Sequence, residues 1–174
     1  MEANGQWRDR IVGEDSVNPK TLIPNPKNWR KHPSFQAGAM AAVLGNIGWV
    51  QRIVVNQRTG NLIDGHLRLE LALNNDETEV PVIFVDLEED EERVVLASLD
   101  PIGSMAETDH AMIESLLQEI DNEELDDVLK DIGERLGVNP PDFSGTGEDG
   151  AAKLDELDEQ KQIKCPHCGT IFTP

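Results

Sequence analysis

The chain has 174 residues, 38% of them apolar and 28% charged, a length that suits one domain with tails and excludes two well-developed cores. Its formal charge of −19 is uneven, because residues 1–75 carry +3 and residues 76–174 carry −22. Since so acidic a half repels phosphate backbones, any nucleotide or DNA contact is expected from the basic N-terminal half.

The start of the chain has neither the basic nor the apolar region of a signal peptide, and no apolar run is long enough to span a membrane. The two cysteines are too close together for a disulfide framework. We therefore expect a cytoplasmic protein without a membrane segment.

The N-terminal third predicts a leader over residues 1–15 and then a short strand at Thr21–Ile23. A proline- and asparagine-rich loop follows, "PNPKNWRKHP", in which extended and turn conformations are favoured. Its cations are Lys27, Arg30 and Lys31. The small-residue segment "SFQAGAMAAVLGNIG" then predicts a helix with Ser34 as its N-cap and an end between Gly45 and Gly48.

The next segments predict a small sheet. A β-branched strand at Arg52–Asn56, a turn at Gln57–Asn61 and a return strand at Leu62–Asp64 form a hairpin. The apolar run "EVPVIFVDL" predicts a buried strand, and "EEDEERVVLASLD" predicts a helix whose acidic first turn suits the helix dipole.

Two acidic helices are expected at Asp109–Ile120 and Asn122–Leu136, each with one apolar stripe. Asp121 and Glu124 have the spacing of a capping box, and Gly137 is placed as a C-terminal cap. These helices lack the basic residues of a DNA-recognition helix, so they are expected to form a helical cap or a protein-docking surface.

The stretch "IDGHLRLELAL" supports two readings. Its leucines alternate with other residues, as in a strand that follows an Asp64-Gly65 hairpin turn. Its residue types instead favour a helix that begins at His66. In a helix, Arg68 would face the positive end of the dipole, which costs ~0.3 to 1 kcal/mol unless an anion lies between them. A helix therefore predicts a phosphate or carboxylate site.

The order of "LIPNPKNWRKH", the small-residue helix, "GWVQRIVVNQRTGNLIDGHLRLELAL" and "EVPVIFVDLEEDE" resembles the ParB/sulfiredoxin-like domain, formerly called the ParB-like nuclease domain. The specific element is Gly-x-x-Arg between a strand and a helix, preceded by a "G-x-(V/L)-x-P-I-V-V" strand in which this chain has Arg52 in place of Pro. The resemblance covers residues 16–104 and is closest to the variants of phage and mobile-element proteins.

The resemblance implies an α/β (α+β) fold, a small mixed sheet with packed helices, in which the Gly-x-x-Arg turn holds nucleotide phosphates. Gly65 matches the glycine, His66 the variable Glu or Cys, Leu67 the first Arg or His, and Arg68 the last Arg. Because position 66 is not Cys, the sulfiredoxin reaction lacks its nucleophile. With Leu67, one phosphate contact of the CTP-binding ParB proteins is lost.

The same resemblance places the segment of Asn28, Arg30 and His32 next to the phosphate turn, because the family has "N-P-R-x-H" there. The expected phosphate or nucleotide ligands are Gly65, His66, Arg68, Asn28 and Arg30, with a nucleoside triphosphate and magnesium as the cofactor. A solvated basic loop is the alternative for the loop residues.

The C-terminal tail carries "IKCPHCGTIF", the Cys-x-x-Cys-Gly knuckle of zinc ribbons. Cys165 and Cys168 supply two thiolates and His167 is a candidate third ligand, so a closed tetrahedral zinc site would require two tails paired in a homodimer. A metal-free tail is the alternative. We expect an acidic helical extension over residues 105–138, a disordered linker over 139–162 and this zinc-knuckle-like tail over 163–174.

Three functions are open from the sequence. The first is a ParB-like nucleotide-binding protein of phage or mobile-element DNA metabolism, located in the bacterial host cytoplasm. The second is a nuclease or phosphotransferase that uses Asp64 or His66 as a base or magnesium ligand. The third is a non-catalytic adaptor that works through the acidic helices and the tail. The expected partners are a nucleotide, DNA through the basic N-terminal half, or DNA-processing proteins.

Overall fold

The computed structural model describes residues 7–138, together with the backbone of residues 163–164 and 171–172. The chain divides into two compact units, Met1–Asn139 and Pro140–Pro174. In the second unit, strands β5 (Ile163–Lys164) and β6 (Ile171–Phe172) pair antiparallel. The predicted linker over 139–162 and the candidate zinc ligands Cys165, His167 and Cys168 lie outside the described residues.

The first unit is built on a four-stranded mixed sheet in the order β1-β4-β2-β3. Its strands are β1 (Ile11–Val17), β2 (Ile53–Asn56), β3 (Leu62–Asp64) and β4 (Val80–Val85). Strands β2 and β4 are parallel, whereas β1 pairs antiparallel with β4 and β3 pairs antiparallel with β2. This confirms the predicted α/β class, the hairpin and the strand within "EVPVIFVDL".

Strand β1 was not predicted, and it begins inside the expected leader over residues 1–15. Its sequence, "IVGEDSV", offers little apolar alternation, and six of its seven residues are exposed. As an edge strand it is held by backbone pairing to β4, from Ile11 opposite Val85 to Val17 opposite Val80. Backbone hydrogen bonds do not depend on the type of side chain, so a strand that they hold need not show an alternating pattern in the sequence.

Five α-helices accompany the sheet in the described part of unit one. They are α1 (Ser34–Asn46), α2 (His66–Asn74), α3 (Glu89–Ser104), α4 (His110–Glu119) and α5 (Asp126–Arg135). Helix α2 resolves the ambiguity of "IDGHLRLELAL" in favour of a helix that begins directly after Gly65. Among the described helices, none is both long enough and apolar enough to cross a membrane.

Three local predictions were wrong. The expected strand at Thr21–Ile23 is instead a 3-10 helix, Pro19–Thr21, which Asn18 caps through its side chain; only Ile23 makes a single bridge to Asn61. Ser34 is the first residue of α1 rather than its cap, because the preceding proline occupies the cap position.

The third concerns α5, which begins at Asp126 rather than at Asn122. The Asn122 side chain accepts a hydrogen bond from the Glu124 amide in a turn, and this replaces the expected capping box. The predicted C-terminal cap is confirmed, since Gly137 has a φ of +74° after α5.

The core lies between the sheet and α2. Its buried side chains are Ile53, Val55, Leu62, Leu69, Ala72, Val80 and Val82. Strand β3 pairs with β2 and leads directly through Gly65 into α2. The first turn of α2 therefore lies beside β2, and the backbone at Gly65 has little free space around it.

Gly65 has a φ of +94°, a conformation that only glycine adopts without strain. A Cβ there would lie 3.1 Å from Cγ1 and 3.2 Å from Cα of Ile53. We expect Gly65→Ala to lower the free energy of unfolding by about 1–3 kcal/mol, measured by urea denaturation. The matched control is Gly38→Ala in α1, where a Cβ meets nothing within 4 Å. That change should be neutral or stabilising by about 0.5–1 kcal/mol, and equal effects of the two variants would contradict the role of the turn.

Candidate nucleotide site

A cleft of about 490 Å³ lies between the proline-rich loop and helix α2. Its polar lining comes from both elements and includes two cations, Arg30 and Lys31, and one carboxylate, Glu70. The lining residues are Pro24, Asn28, Arg30, Lys31, His32, His66, Leu69, Glu70 and Leu73. The cleft therefore joins two segments that are more than thirty residues apart in sequence.

Helix α2 presents its N-terminal end beside this cleft. Its N-cap is Gly65, which has no side chain, and no side chain caps the helix. The first amides of a helix lack intrahelical acceptors and carry partial positive charge, so this end is suited to an anion. His66 is the first helical residue and lines the cleft.

Arg68 lies beneath the turn rather than in the cleft lining. Its side chain is 8% exposed and donates to Gln51 Oε1 at 2.8 Å and to Asp64 Oδ2 at 2.6 Å. It is also 3.4 Å from the carbonyl oxygen of Arg52, while its Nε atom has no hydrogen-bond partner. Arg68 therefore ties the end of β3 and the segment before β2 to the first turn of α2.

His66 connects the helix to the loop. Its Nε2 atom accepts a hydrogen bond of 3.1 Å from the backbone amide of Asn25, which requires the ring to be unprotonated at that nitrogen. Burial lowers the pKa of His66 below its ordinary value, and the nearby charge of Arg30 lowers it further. The ring is therefore neutral when the loop is docked.

Arg30 and Lys31 supply the main cationic side chains of the cleft. Arg30 forms an ion pair with Asp100 of α3 and lies 3.8 Å from Asp64. Lys31 is exposed and makes no ion pair among the residues described. A bound anion would thus meet one cation held in place by carboxylates and one that is unpaired.

The loop is fastened to α3 at three points that are four residues apart, and so lie on one face of that helix. Asn25 donates to Glu92 Oε1 at 2.7 Å, and Trp29 donates through its indole to the carbonyl of Leu96 at 3.1 Å. The third point is the ion pair of Arg30 with Asp100.

Glu92 is the most connected of these groups and is only 5% exposed. Its carboxylate accepts hydrogen bonds from Asn25, Asn56, Thr59 and Asn61. Burial raises the pKa of Glu92, but the hydrogen bonds from these neighbours outweigh that effect and hold the pKa below its ordinary value. The carboxylate thus stays charged in the interior, and among the residues that the structure describes it has no cationic partner.

The structure brings three of the predicted ligands, Asn28, Arg30 and His66, into one cleft. Gly65 is the N-cap of α2, directly before His66, and is not a lining residue. Asp64 and Arg68 pair with each other next to the cleft. Sequence reasoning missed Asn25 and Glu92. Asn25 lies in a segment whose asparagines predict turns. Glu92 is one of five acidic residues in "EEDEER", and only its inward position in the structure distinguishes it from the other four.

Metal binding has no support within residues 7–138, where no group of three or more His, Cys, Asp or Glu side chains is arranged to hold an ion. Glu70 is the one carboxylate in the cleft lining. Any magnesium there would accordingly depend on ligand phosphates for most of its coordination.

Comparison with protein-family models and with curated proteins gives no match. Solved structures do match. The C-terminally truncated chromosome-partitioning protein ParB from Caulobacter crescentus, complexed with CTP-γ-S, has a TM-score of 0.51 at 16% identity over 74% of this chain and 73% of that chain. A pNOB8-like ParB N-domain has a TM-score of 0.45 at 14% identity over 95% of this chain and 59% of that chain. The first of these likenesses shows that the chain shares its fold with the Caulobacter ParB structure, the fold that the resemblance of its Gly-x-x-Arg segment implied.

Proposed function

We propose that the protein binds a nucleotide through its phosphates in the cleft between the proline-rich loop and α2. The observation that carries this proposal is the convergence of Arg30, Lys31 and His66 at the uncapped N-terminus of α2. Cationic side chains and helix amides in one concave site favour phosphate over any neutral ligand.

The fold neighbour adds support for the class of ligand, because the Caulobacter protein was solved with a cytidine nucleotide analogue. The exposed apolar part of the lining, Pro24 and Leu73, offers a surface for a base or sugar beyond the phosphates. A nucleotide therefore fits the cleft better than inorganic phosphate.

In this proposal the cleft residues have different tasks. Lys31 and Arg30 contact the phosphates, and Asn28 and His66 shape the loop and helix around them. Arg68 acts from below by holding the Gly65 turn, because its guanidinium is already engaged by Asp64 and Gln51. This modifies the sequence expectation that Arg68 itself binds phosphate.

A nucleotide also fits the small number of unpaired cations in the N-terminal half better than DNA does. Of the nine Lys and Arg residues before position 76, five are engaged in ion pairs: Arg10, Arg30, Arg52, Arg58 and Arg68. Few cations are left to neutralise a run of DNA phosphates, which is the main source of DNA affinity.

The alternative of a nuclease or phosphotransferase is less well supported. Asp64 is paired with Arg68, and His66 already uses Nε2 to accept from the Asn25 amide, so neither is positioned as an unengaged base. DNA nicking or phosphate release that is lost in Asp64→Ala would favour this alternative.

The setting in phage or mobile-element DNA metabolism and the cytoplasmic location stay predictions from the sequence.

Nucleotide binding is expected to raise the melting temperature. Titration with CTP, ATP, GTP or UTP plus magnesium should stabilise the wild-type protein, by about 2.7 kcal/mol at a concentration of 100 times Kd. Lys31→Ala should weaken binding by roughly 5- to 10-fold, the effect of losing one partly exposed charge-assisted contact. Arg30→Ala is expected to weaken it further.

The matched control is Lys20→Ala, since Lys20 is also exposed and without an ion pair among the described residues but lies outside the cleft lining. It should bind as the wild type does. The proposal is wrong if none of the four nucleotides shifts the melting temperature, or if Lys31→Ala and Lys20→Ala behave alike.

The neutral state of His66 gives a pH-dependent stability. Because its folded-state pKa lies below the ordinary 6.5, the unfolded chain takes up the proton first as the pH falls. The contribution to the free energy of unfolding is thus fully present above pH 6.5 and decreases below it. Urea denaturation between about pH 7.5 and 5.5 should show a smaller loss for His66→Gln, which keeps an acceptor but does not titrate. Parallel pH profiles for the two proteins would rule out this docking contact.

A further inference from the structure

Helix α3 has a second, exposed face opposite the one that holds the loop. Val94 and Ile102 in α3, and Met105 directly after its last residue, are 64%, 65% and 75% exposed. With Ser98 they follow the helical spacing of a single stripe, which is turned away from Glu92, Leu96 and Asp100. Between Val94 and Met105 the stripe spans about 16 Å at 1.5 Å per residue, a little over three turns.

An apolar stripe of this kind is unusual on a helix whose other face is already packed. A surface helix normally has one apolar face and exposes polar residues on the other. Large exposed apolar side chains that share one face of a domain are typical of an interaction site. Nothing in the loop contacts or the sheet requires Ile102 or Met105 to be apolar.

The charges around the stripe identify the chemistry of the occupant. Acidic residues precede it, at Glu88 to Glu91, and follow it, at Glu107 and Asp109. The one cation between positions 88 and 109, Arg93, is paired with Glu89 and Asp90. A second copy of this stripe would bring acidic ends against acidic ends, which like-charge repulsion disfavours.

We propose that this α3 stripe, Val94, Ser98, Ile102 and Met105, is a docking surface for an amphipathic helix of another protein with basic residues at both ends. The apolar side chains of the partner would cover the stripe and its basic ends would meet the two acidic segments. This is helix-on-helix recognition through apolar anchors at i, i+8 and i+11, with the small Ser98 at i+4. It is separate from nucleotide binding and requires no ligand in the cleft.

The probe is a synthetic helical peptide of about sixteen residues, with leucines at i, i+4, i+8 and i+11 and lysines at both ends. Its binding to the full chain is measured by fluorescence anisotropy. A scrambled peptide of the same composition measures charge attraction alone. The stripe variant is Val94→Ser combined with Ile102→Ser. The matched control is Ile47→Ser combined with Val50→Ser, two exposed apolar residues outside α3 whose side chains are 58% and 77% exposed.

The designed peptide should bind at least about 10-fold more tightly than the scrambled one, and the stripe variant should lose most of that difference, as expected when apolar anchors are removed. The control variant and Lys31→Ala should bind as the wild type does. Lys31 lines the cleft and makes no ion pair with α3 among the residues described, so its unchanged peptide affinity separates this surface from the cleft. Equal binding of the two peptides, or an unchanged affinity in the stripe variant, would overturn the proposal. So would self-association of the wild type that the stripe variant abolishes, since it would identify a second copy as the occupant.

Discussion

A single buried carboxylate holds the candidate site together. Glu92 accepts from Asn25, Asn56, Thr59 and Asn61, and so joins helix α3, the proline-rich loop, the end of β2 and the hairpin turn. Its place in the first turn of α3 adds the favourable field of the helix dipole. If the carboxylate were lost, each buried amide donor left without an acceptor would cost roughly 1–3 kcal/mol.

The cleft depends on this constraint because its loop has little apolar burial of its own. Trp29 is more than half exposed, and of the loop residues between Pro24 and Pro33 only Asn25 is buried. Polar contacts to α3 and to His66 therefore fix the loop, and they place Arg30 and Lys31 beside the uncapped end of α2. The cations are brought to the site by hydrogen bonds rather than by packing.

The parts of the fold that follow from side-chain pattern were predictable. The hairpin and strand β4 follow from β-branched runs and turn residues. For α2 the leucine alternation favoured a strand, and only helix propensity, Arg68 and the family resemblance together favoured the helix that begins at His66. Strand β1 was not predictable because backbone pairing holds it. For the site, the segments "NWRKH" and "GHLR" showed which residue types are present. They did not show which of those side chains are buried. Only the three-dimensional arrangement shows that Arg68 is engaged below the turn and that Glu92 faces inward.

The most direct test of this account is hydrogen exchange in the wild type and in Glu92→Gln, under conditions in which the amides of β4 stay protected in both. The wild-type Asn25 backbone amide, which donates to His66, should exchange slowly. Glu92→Gln should accelerate its exchange and that of the other loop amides selectively, because a side-chain amide replaces the carboxylate that accepts from three asparagines and one threonine at once. Unchanged protection of Asn25 in Glu92→Gln would contradict the claim that the buried carboxylate holds the loop over the cleft.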